Sequence, residues 1–269
     1  MNRKRIKINL LFILATLSLL ATGFWIHPTE LMPNIFLTSY FSICGTWVIY
    51  GLEVNHRENN SLLSLFKALN KHKGQQLFVL HLIIITPIFI YFSSWDSIFI
   101  MLLIALIGVL YSIKLNFINP GFRLKQMFLV KNILIGLAWG LLILLGGNIL
   151  YNLEVMAFFF LVSLQIFIGS ALRDVADIYY DKKINARTIP IILGLRYTFP
   201  FLHVLNSLSL LIILIYPQYW VLYATLFVVA WKALLIEKVK KEHQSILWTQ
   251  TLNILTCPLI LILVMLLKP

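Results

Sequence analysis

Residues Val155–Leu172 read Val-Met-Ala-Phe-Phe-Phe-Leu-Val-Ser-Leu-Gln-Ile-Phe-Ile-Gly-Ser-Ala-Leu, without a single charge. They run directly into Arg173-Asp174-Val175-Ala176-Asp177-Ile178-Tyr179-Tyr180-Asp181-Lys182-Lys183. An uncharged block of this length matches a hydrocarbon layer roughly 30 Å thick when wound as a helix. Working outward, comparable blocks recur at Ile8–Ile26, Leu31–Leu52, Gln76–Phe92, Ser97–Ile113, Met127–Leu145, Phe199–Tyr216, Tyr219–Ile236 and Ile246–Leu267. The chain is 60% hydrophobic and 12% charged, against about 25% charged in a soluble domain. The expected fold is therefore all-α: a polytopic membrane helical bundle of about nine transmembrane helices. Residues 1–269 form a single transmembrane domain, since no connection is long enough for another. The long, acid-bearing connections after spans two and six predict two four-helix halves, about 8–114 and 127–236, followed by a ninth helix.

The formal net charge is +12, and its placement excludes a nucleic-acid reading. Apart from Lys268, every Lys and Arg falls before the first span or in the connections after even-numbered spans and their borders, Lys232 being counted with the last of these. Glu30, Asp96 and Glu154 fall in the short opposite connections. Basic residues sort in this way to the cytoplasmic side, so an integral cell-membrane protein is expected with its amino terminus cytoplasmic and its carboxyl terminus outside. The basic, apolar start also resembles a signal peptide, but the small-residue cleavage pattern is poor around residues 20–23, and an uncleaved first helix is expected. Cys44 and Cys257 lie in apolar spans and read as small buried hydrophobes.

On a helix continuing out of the sixth span, Asp174, Asp177 and Asp181 share one face. Three close carboxylates repel one another unless a cation lies between them. Hard oxygen donors suit Mg²⁺, which keeps open positions for phosphate oxygens. Lys125, Lys131, Arg173, Lys182, Lys183 and Arg187 stand near in sequence to complement a diphosphate. The bland alternative is a solvated helix end with local ion pairs. Acids at the end of a membrane span are costly, however, and are commonly functional.

These residues carry a resemblance. Asp174-x-x-Asp177-x-x-x-Asp181-Lys182, then Arg187-Thr188-Ile189-Pro190 and Gly194, resembles the second Asp-rich motif of the UbiA-type intramembrane prenyltransferases. Tyr111-Ser112, and Arg123-Leu124-Lys125 followed by Lys131 and Ala138-Trp139, resemble the segment leading into that family's fifth helix. The resemblance departs at two places. The family's first motif, Asn-Asp-x-x-Asp-x-x-x-Asp after span two, is replaced by Ile49-Tyr50-Gly51-Leu52-Glu53-Val54-Asn55-His56-Arg57-Glu58-Asn59. There the acids Glu53 and Glu58 are five apart and cannot share a direction on an undistorted helix. Arg57 stands where an acid is expected. Asn185 also replaces a glycine after the second motif.

The resemblance implies an enzyme that transfers a prenyl group from an isoprenyl diphosphate to a hydrophobic or aromatic acceptor within the bilayer. It implies Mg²⁺ as cofactor, held by Asp177 and Asp181 with Asp174 adjacent, and by Glu53 as the surviving acid of the first site, with Asn55 or Glu58 assisting. Lys125, Lys131 and Arg187 would contact diphosphate. Asn132 and Tyr111 would line the cavity, and Tyr179 and Tyr180 are further candidates whose rings could face a developing cation. The altered first motif leaves open a non-catalytic relative that binds an isoprenoid or lipid. A transporter is the third reading, disfavoured because the charges gather at the rim and not near the midplane. His81, Gln165, His203, Asn206, Gln250 and Asn253 are expected to hydrogen-bond neighbouring helices. Gly136 and Gly140 have the spacing for close helix approach.

Overall fold

The computed structural model describes residues 3–27, 83–84, 86–88, 90–91, 94–112, 127–147, 152–183, 185–242 and 251–268. Among these residues all regular structure is helical. The elements are α1 (Arg3–Ile26), α2 (Trp95–Ser112), α3 (Val130–Gly147), α4 (Leu153–Ala176), α5 (Ile178–Lys183), α6 (Ile189–Ile192), α7 (Gly194–Leu208), α8 (Ile212–Ile215), α9 (Tyr219–Glu242) and α10 (Thr256–Leu267). Four stretches are long and apolar enough to cross a membrane: Val130–Gly147, Leu153–Ala176, Gly194–Leu214 and Tyr219–Lys241. Shorter apolar helices cover Ile13–Ile26, Trp95–Gly108 and Thr251–Leu267. Together they account for the expected first, fourth, fifth, sixth, seventh, eighth and ninth spans. The second span, Leu31–Leu52, lies outside the described residues. The third, Gln76–Phe92, is described only at 83–84, 86–88 and 90–91, which are helical.

The boundaries shift for local reasons. Helix α3 starts three residues later than expected because Leu129 has φ 63° and Val130 N–H bonds back to Phe128 C=O at 2.8 Å, a γ-turn of the rarer, strained hand. The seventh span begins earlier, at Gly194, whose φ of 72° suits a residue without a Cβ. It also breaks: a 3₁₀ turn over Ser209–Leu211 separates α7 from α8. The break coincides with a buried polar network in which Gln165 Nε2 donates to Asn206 Oδ1 and Ser209 Oγ, while Asn206 Nδ2 donates to Val229 C=O. Such pairing satisfies polar groups that lipid cannot.

Backbone proximity explains the glycines of α3. A Cβ on Gly136 would stand 2.5 Å from Ser163 C=O, and one on Gly140 2.0 Å from Ser163 Oγ, so α3 lies directly on α4. A Cβ on Gly146 would stand 2.1 Å from Leu20 C=O, and one on Gly23 2.0 Å from Ile143 C=O, so α1 is held as closely. Small residues permit this approach, from which membrane bundles draw much of their packing energy. Ile168, Leu172, Ile189, Phe199, Leu202 and Ile236 form a separate buried cluster at the far end of α4, tying α6, α7 and α9 to it.

The two ends of the bundle differ. At one, Lys268 Nζ pairs with Glu154 Oε1 at 3.0 Å and donates to Ile26 C=O, and Tyr216 O–H donates to Glu154 Oε2 at 3.4 Å. The ends of α1, α8 and α10 thus meet the start of α4, as the expected alternation of connections requires. Lys131 and the acidic residues lie at the other end. One charge assignment is corrected: Lys232 is not a border residue. It is fully buried within α9, its ammonium donating to Asn253 Oδ1 and Thr256 Oγ1 at 3.1 and 3.4 Å. Its position ten residues before the helix end, well inside the bundle, overrides the sequence proximity to Lys238–Lys241.

Candidate active site

The site is built where α4 runs out of the bundle against the start of α3. Asp174, in the last turn of α4, is 0% exposed. Its Oδ1 pairs with Lys131 Nζ, and its Oδ2 accepts from Asn132 Nδ2 at 3.1 Å. Asn132 Nδ2 also lies 3.1 Å from Ser170 Oγ, one turn earlier on α4. Consecutive residues of α3 therefore grip the two oxygens of one carboxylate.

Beyond Asp174 the helix does not simply continue, as the sequence predicts. Asp177 is a turn residue between α4 and α5, with φ −94° and ψ 7°. Its N–H still bonds Arg173 C=O at 3.0 Å, and its own C=O accepts from Asp181 N–H at 2.9 Å. The ladder is preserved while the axis breaks. The Asp177 carboxylate is partly exposed and faces Arg173 Nε at 3.5 Å, a weak local pair.

Asp181 lies on the inward side of α5, 6% exposed, and its Oδ2 has no hydrogen-bond partner. Just after it, Asn185 N–H bonds Lys182 C=O at 3.2 Å and Ala186 N–H bonds Asp181 C=O at 2.9 Å. With Asn185 at φ 52° this is a left-handed helix cap of Schellman type. The cap turns the chain back so that Thr188, also buried, stands beside Asp181. Burial pushes the Asp181 carboxyl up to about 6. Lys131 pulls it down, Asp174 and Asp177 push it further up, and Thr188 lowers it slightly.

The sequence candidates thus fall into distinct surroundings. Lys131, Asn132 and Asp174 form one network, and Asp181 lies within the field of Lys131, Asp174 and Asp177. Among the described residues no three His, Cys, Asp or Glu side chains already converge on one point as a metal cage would require. Arg187, Lys182 and Lys183 are exposed. Tyr179 and Tyr180 are 85% and 52% exposed. Tyr111 is half-buried in the last turn of α2. Glu53, Asn55, Glu58 and Lys125 lie outside the described residues, as do His81 and Gln250. Sequence reading missed Thr188 and Ser170. Thr188 was within reach, since it stands in the quoted motif two residues before Pro190.

The residues present fit a hard divalent cation. Asp181 offers a buried, unpartnered carboxylate oxygen, and Asp177 presents a second with only a long arginine contact.

A model of the UbiA prenyltransferase family matches residues 71–256. The chain belongs to the UbiA prenyltransferase family. It is an integral membrane protein with the all-helical fold of that family. Among solved structures it is similar to a UbiA homolog from Archaeoglobus fulgidus, with TM-score 0.65 and 18% identity over 98% of both chains. It is similar to the same homolog bound to GPP and Mg²⁺, with TM-score 0.62 and 16% identity over 97% of both chains. A third similar structure, of digeranylgeranylglyceryl phosphate synthase, gives TM-score 0.64 and 17% identity over 99% of both chains. No curated protein matches the chain by sequence. Relative to the UbiA pattern, the replacement of glycine by Asn185 preserves the backbone: asparagine is among the few residues that adopt left-handed φ readily.

Proposed function

We propose that this UbiA-family protein transfers a prenyl group from an isoprenyl diphosphate to a hydrophobic or aromatic acceptor within the membrane, with Mg²⁺ as cofactor. The observation that carries the reading is Asp181 Oδ2. It is a buried carboxylate oxygen without a partner, one turn from the half-engaged Asp177 and within the field of Lys131. An uncompensated buried acid is expensive, and a cation is the simplest compensation.

In this reading Asp177 and Asp181 hold Mg²⁺, with Glu53 as the candidate acid from the first motif. Bound Mg²⁺ neutralises the diphosphate and makes it a better leaving group. Lys131 presents an ammonium to the phosphate oxygens, and Lys125 and Arg187 are further candidates for that contact. The apolar interior around the inner half of α4 would keep water from the allylic carbon after its C–O bond to diphosphate breaks, so that an electron pair of the acceptor forms the new bond and the acceptor then sheds a proton. Asn132, buried beside Lys131, braces Asp174, and Tyr111 is the candidate to line the approach. The site faces the cytoplasm in this reading, because the basic residues at its end of the bundle follow the positive-inside pattern.

Purified protein in detergent, given geranyl and longer isoprenyl diphosphates with a panel of aromatic acceptors, is expected to form a prenylated product with Mg²⁺ and none with excess chelator. Asp177→Asn and Asp181→Asn are each expected to abolish turnover in folded protein. Chelator-resistant turnover would overturn the metal mechanism. The altered segment around Glu53 favours a second reading, a non-catalytic relative that binds isoprenoids. Glu53→Gln separates the two: a large rate loss supports a working first site, and no effect supports a vestigial one.

A further inference from the structure

We infer that Asp174 is a positioning residue, not a metal ligand: it holds the Lys131 ammonium in place for the diphosphate, leaving the metal to Asp177 and Asp181. The inference rests on the proposed reading of this site and divides the three acids, which sequence spacing makes equivalent.

The three carboxylates differ in what they have left to offer. Asp174 is 0% exposed and both its oxygens are engaged, Oδ1 by Lys131 and Oδ2 by Asn132. Mg²⁺ demands nearly octahedral coordination and keeps several waters, and Asp174 presents no open face for either. Displacing Lys131 from it would leave a buried carboxylate without its charged partner, a strongly destabilising change. Asp177 has only a 3.5 Å contact to Arg173 on a partly exposed face, and Asp181 Oδ2 has no partner. Asp177 and Asp181 therefore keep free oxygen that Asp174 lacks.

Lys131 shows the complementary pattern. It is the more exposed partner of the pair, and an ammonium has three donors, of which Asp174 takes one. The donors that remain serve phosphate oxygens, and Lys131 already acts on the neighbouring Asp181 carboxylate. Asn132 and Ser170 complete the brace, fixing the Asp174 carboxylate from the side opposite the lysine. A flexible lysine thereby becomes a pre-oriented one, and its ordering entropy is lost on folding and not on binding.

The test uses Mn²⁺ as an electron-paramagnetic-resonance probe with inorganic pyrophosphate, and needs no prenyl transfer. Wild type, Asp174→Asn, Asp177→Asn, Lys131→Met, Lys131→Met/Asp174→Asn and Lys131→Met/Asp174→Leu are compared in detergent. Mn²⁺ affinity is expected to stay within about twofold of wild type in every Asp174 variant and to fall about tenfold or more in Asp177→Asn. At saturating Mn²⁺, pyrophosphate affinity is expected to fall about tenfold in Asp174→Asn, and to fall no further when that change is added to Lys131→Met. If Asp174→Asn does not fold, Lys131→Met/Asp174→Leu carries the metal readout, because apolar groups of similar size replace a buried pair at little cost. A tenfold loss of Mn²⁺ affinity in any of the three Asp174 variants overturns the inference and leaves the proposed reaction standing. Unchanged pyrophosphate affinity in Asp174→Asn also overturns it, reducing Asp174 to a packing role. Wild-type protein that takes up no Mn²⁺ would remove both this inference and the metal-dependent reading beneath it.

Discussion

The backbone N–H of Ala186 donates to the carbonyl of Asp181 at 2.9 Å, which closes the end of α5 and returns the chain to the carboxylate it has just passed. The closure depends on Asn185 at φ 52°. Asn185→Gly is expected to keep the fold and activity, because glycine accepts this φ without steric cost. Asn185→Val is expected to cost about 1–2 kcal/mol, since a β-branched residue is disfavoured in the left-handed region. Thermal melting in detergent measures both. A valine variant melting at the wild-type temperature would show that the cap does not hold α5.

The Asp181 carboxyl, raised by burial to about 6, sets a pH window. Its folded value lies above the ordinary 3.8, so the fold favours the protonated form. Without metal, its contribution to stability is fully present below about 4 and is lost as pH rises through about 6. Metal binding runs the other way, because a ligand carboxylate must be ionised. Mg²⁺ half-saturation is therefore expected to rise steeply as pH drops from 7 to 5, and much less in Asp181→Asn. An Mg²⁺ requirement that is flat across that interval in the wild type would contradict the assignment of Asp181.

Much of this was legible in the sequence, for identifiable reasons. Long uncharged blocks can do little but span a bilayer, so the described parts of seven expected spans are helical and lie within a few residues of their expected positions. Gly136 and Gly140 had the spacing of a close helix contact, and α3 packs there on α4. Periodicity could not foresee the break at Asp177, which involves neither proline nor glycine, and so could not separate the roles of Asp174, Asp177 and Asp181. Sequence proximity misplaced Lys232, because charge counting sees distance along the chain and not the direction of a helix face.

Glycine contacts predict a graded response. A Cβ at Gly146 would meet the Leu20 backbone at 2.1 Å, where nothing flexible can yield. Gly146→Ala is expected to cost about 2–3 kcal/mol by prising α1 from α3. At Gly169 the nearest atom is the Asn253 side-chain oxygen at 3.2 Å, so Gly169→Ala is expected to cost about 1 kcal/mol or less. Gly194→Ala meets nothing within 4 Å but carries φ 72°, and a loss of about 1 kcal/mol is expected from backbone strain alone. Melting temperatures in the order Gly169→Ala, then Gly194→Ala, then Gly146→Ala, from highest to lowest, would bear this out. A tolerant Gly146→Ala would refute the close α1–α3 packing.

The Lys131–Asp174 pair makes a prediction about stability that is separate from binding. Asp174 is fully buried and Lys131 is 17% exposed, so removing the lysine strands a carboxylate where water cannot reach it, and removing the carboxylate leaves a partly solvated ammonium without its partner. Lys131→Met is expected to destabilise the protein by about 3 kcal/mol, and Asp174→Leu by at least as much, because Asn132 also loses its acceptor. In Lys131→Met/Asp174→Leu the stranded charge disappears, and stability is expected to recover to within about 1 kcal/mol of the wild type. The sign follows from desolvation: the pair repays the cost of burying its own charges but contributes little beyond that. Denaturation midpoints of the four proteins of this cycle, measured in one detergent, give the coupling directly. Additive losses in the double variant would mean that the two side chains do not act as a buried pair.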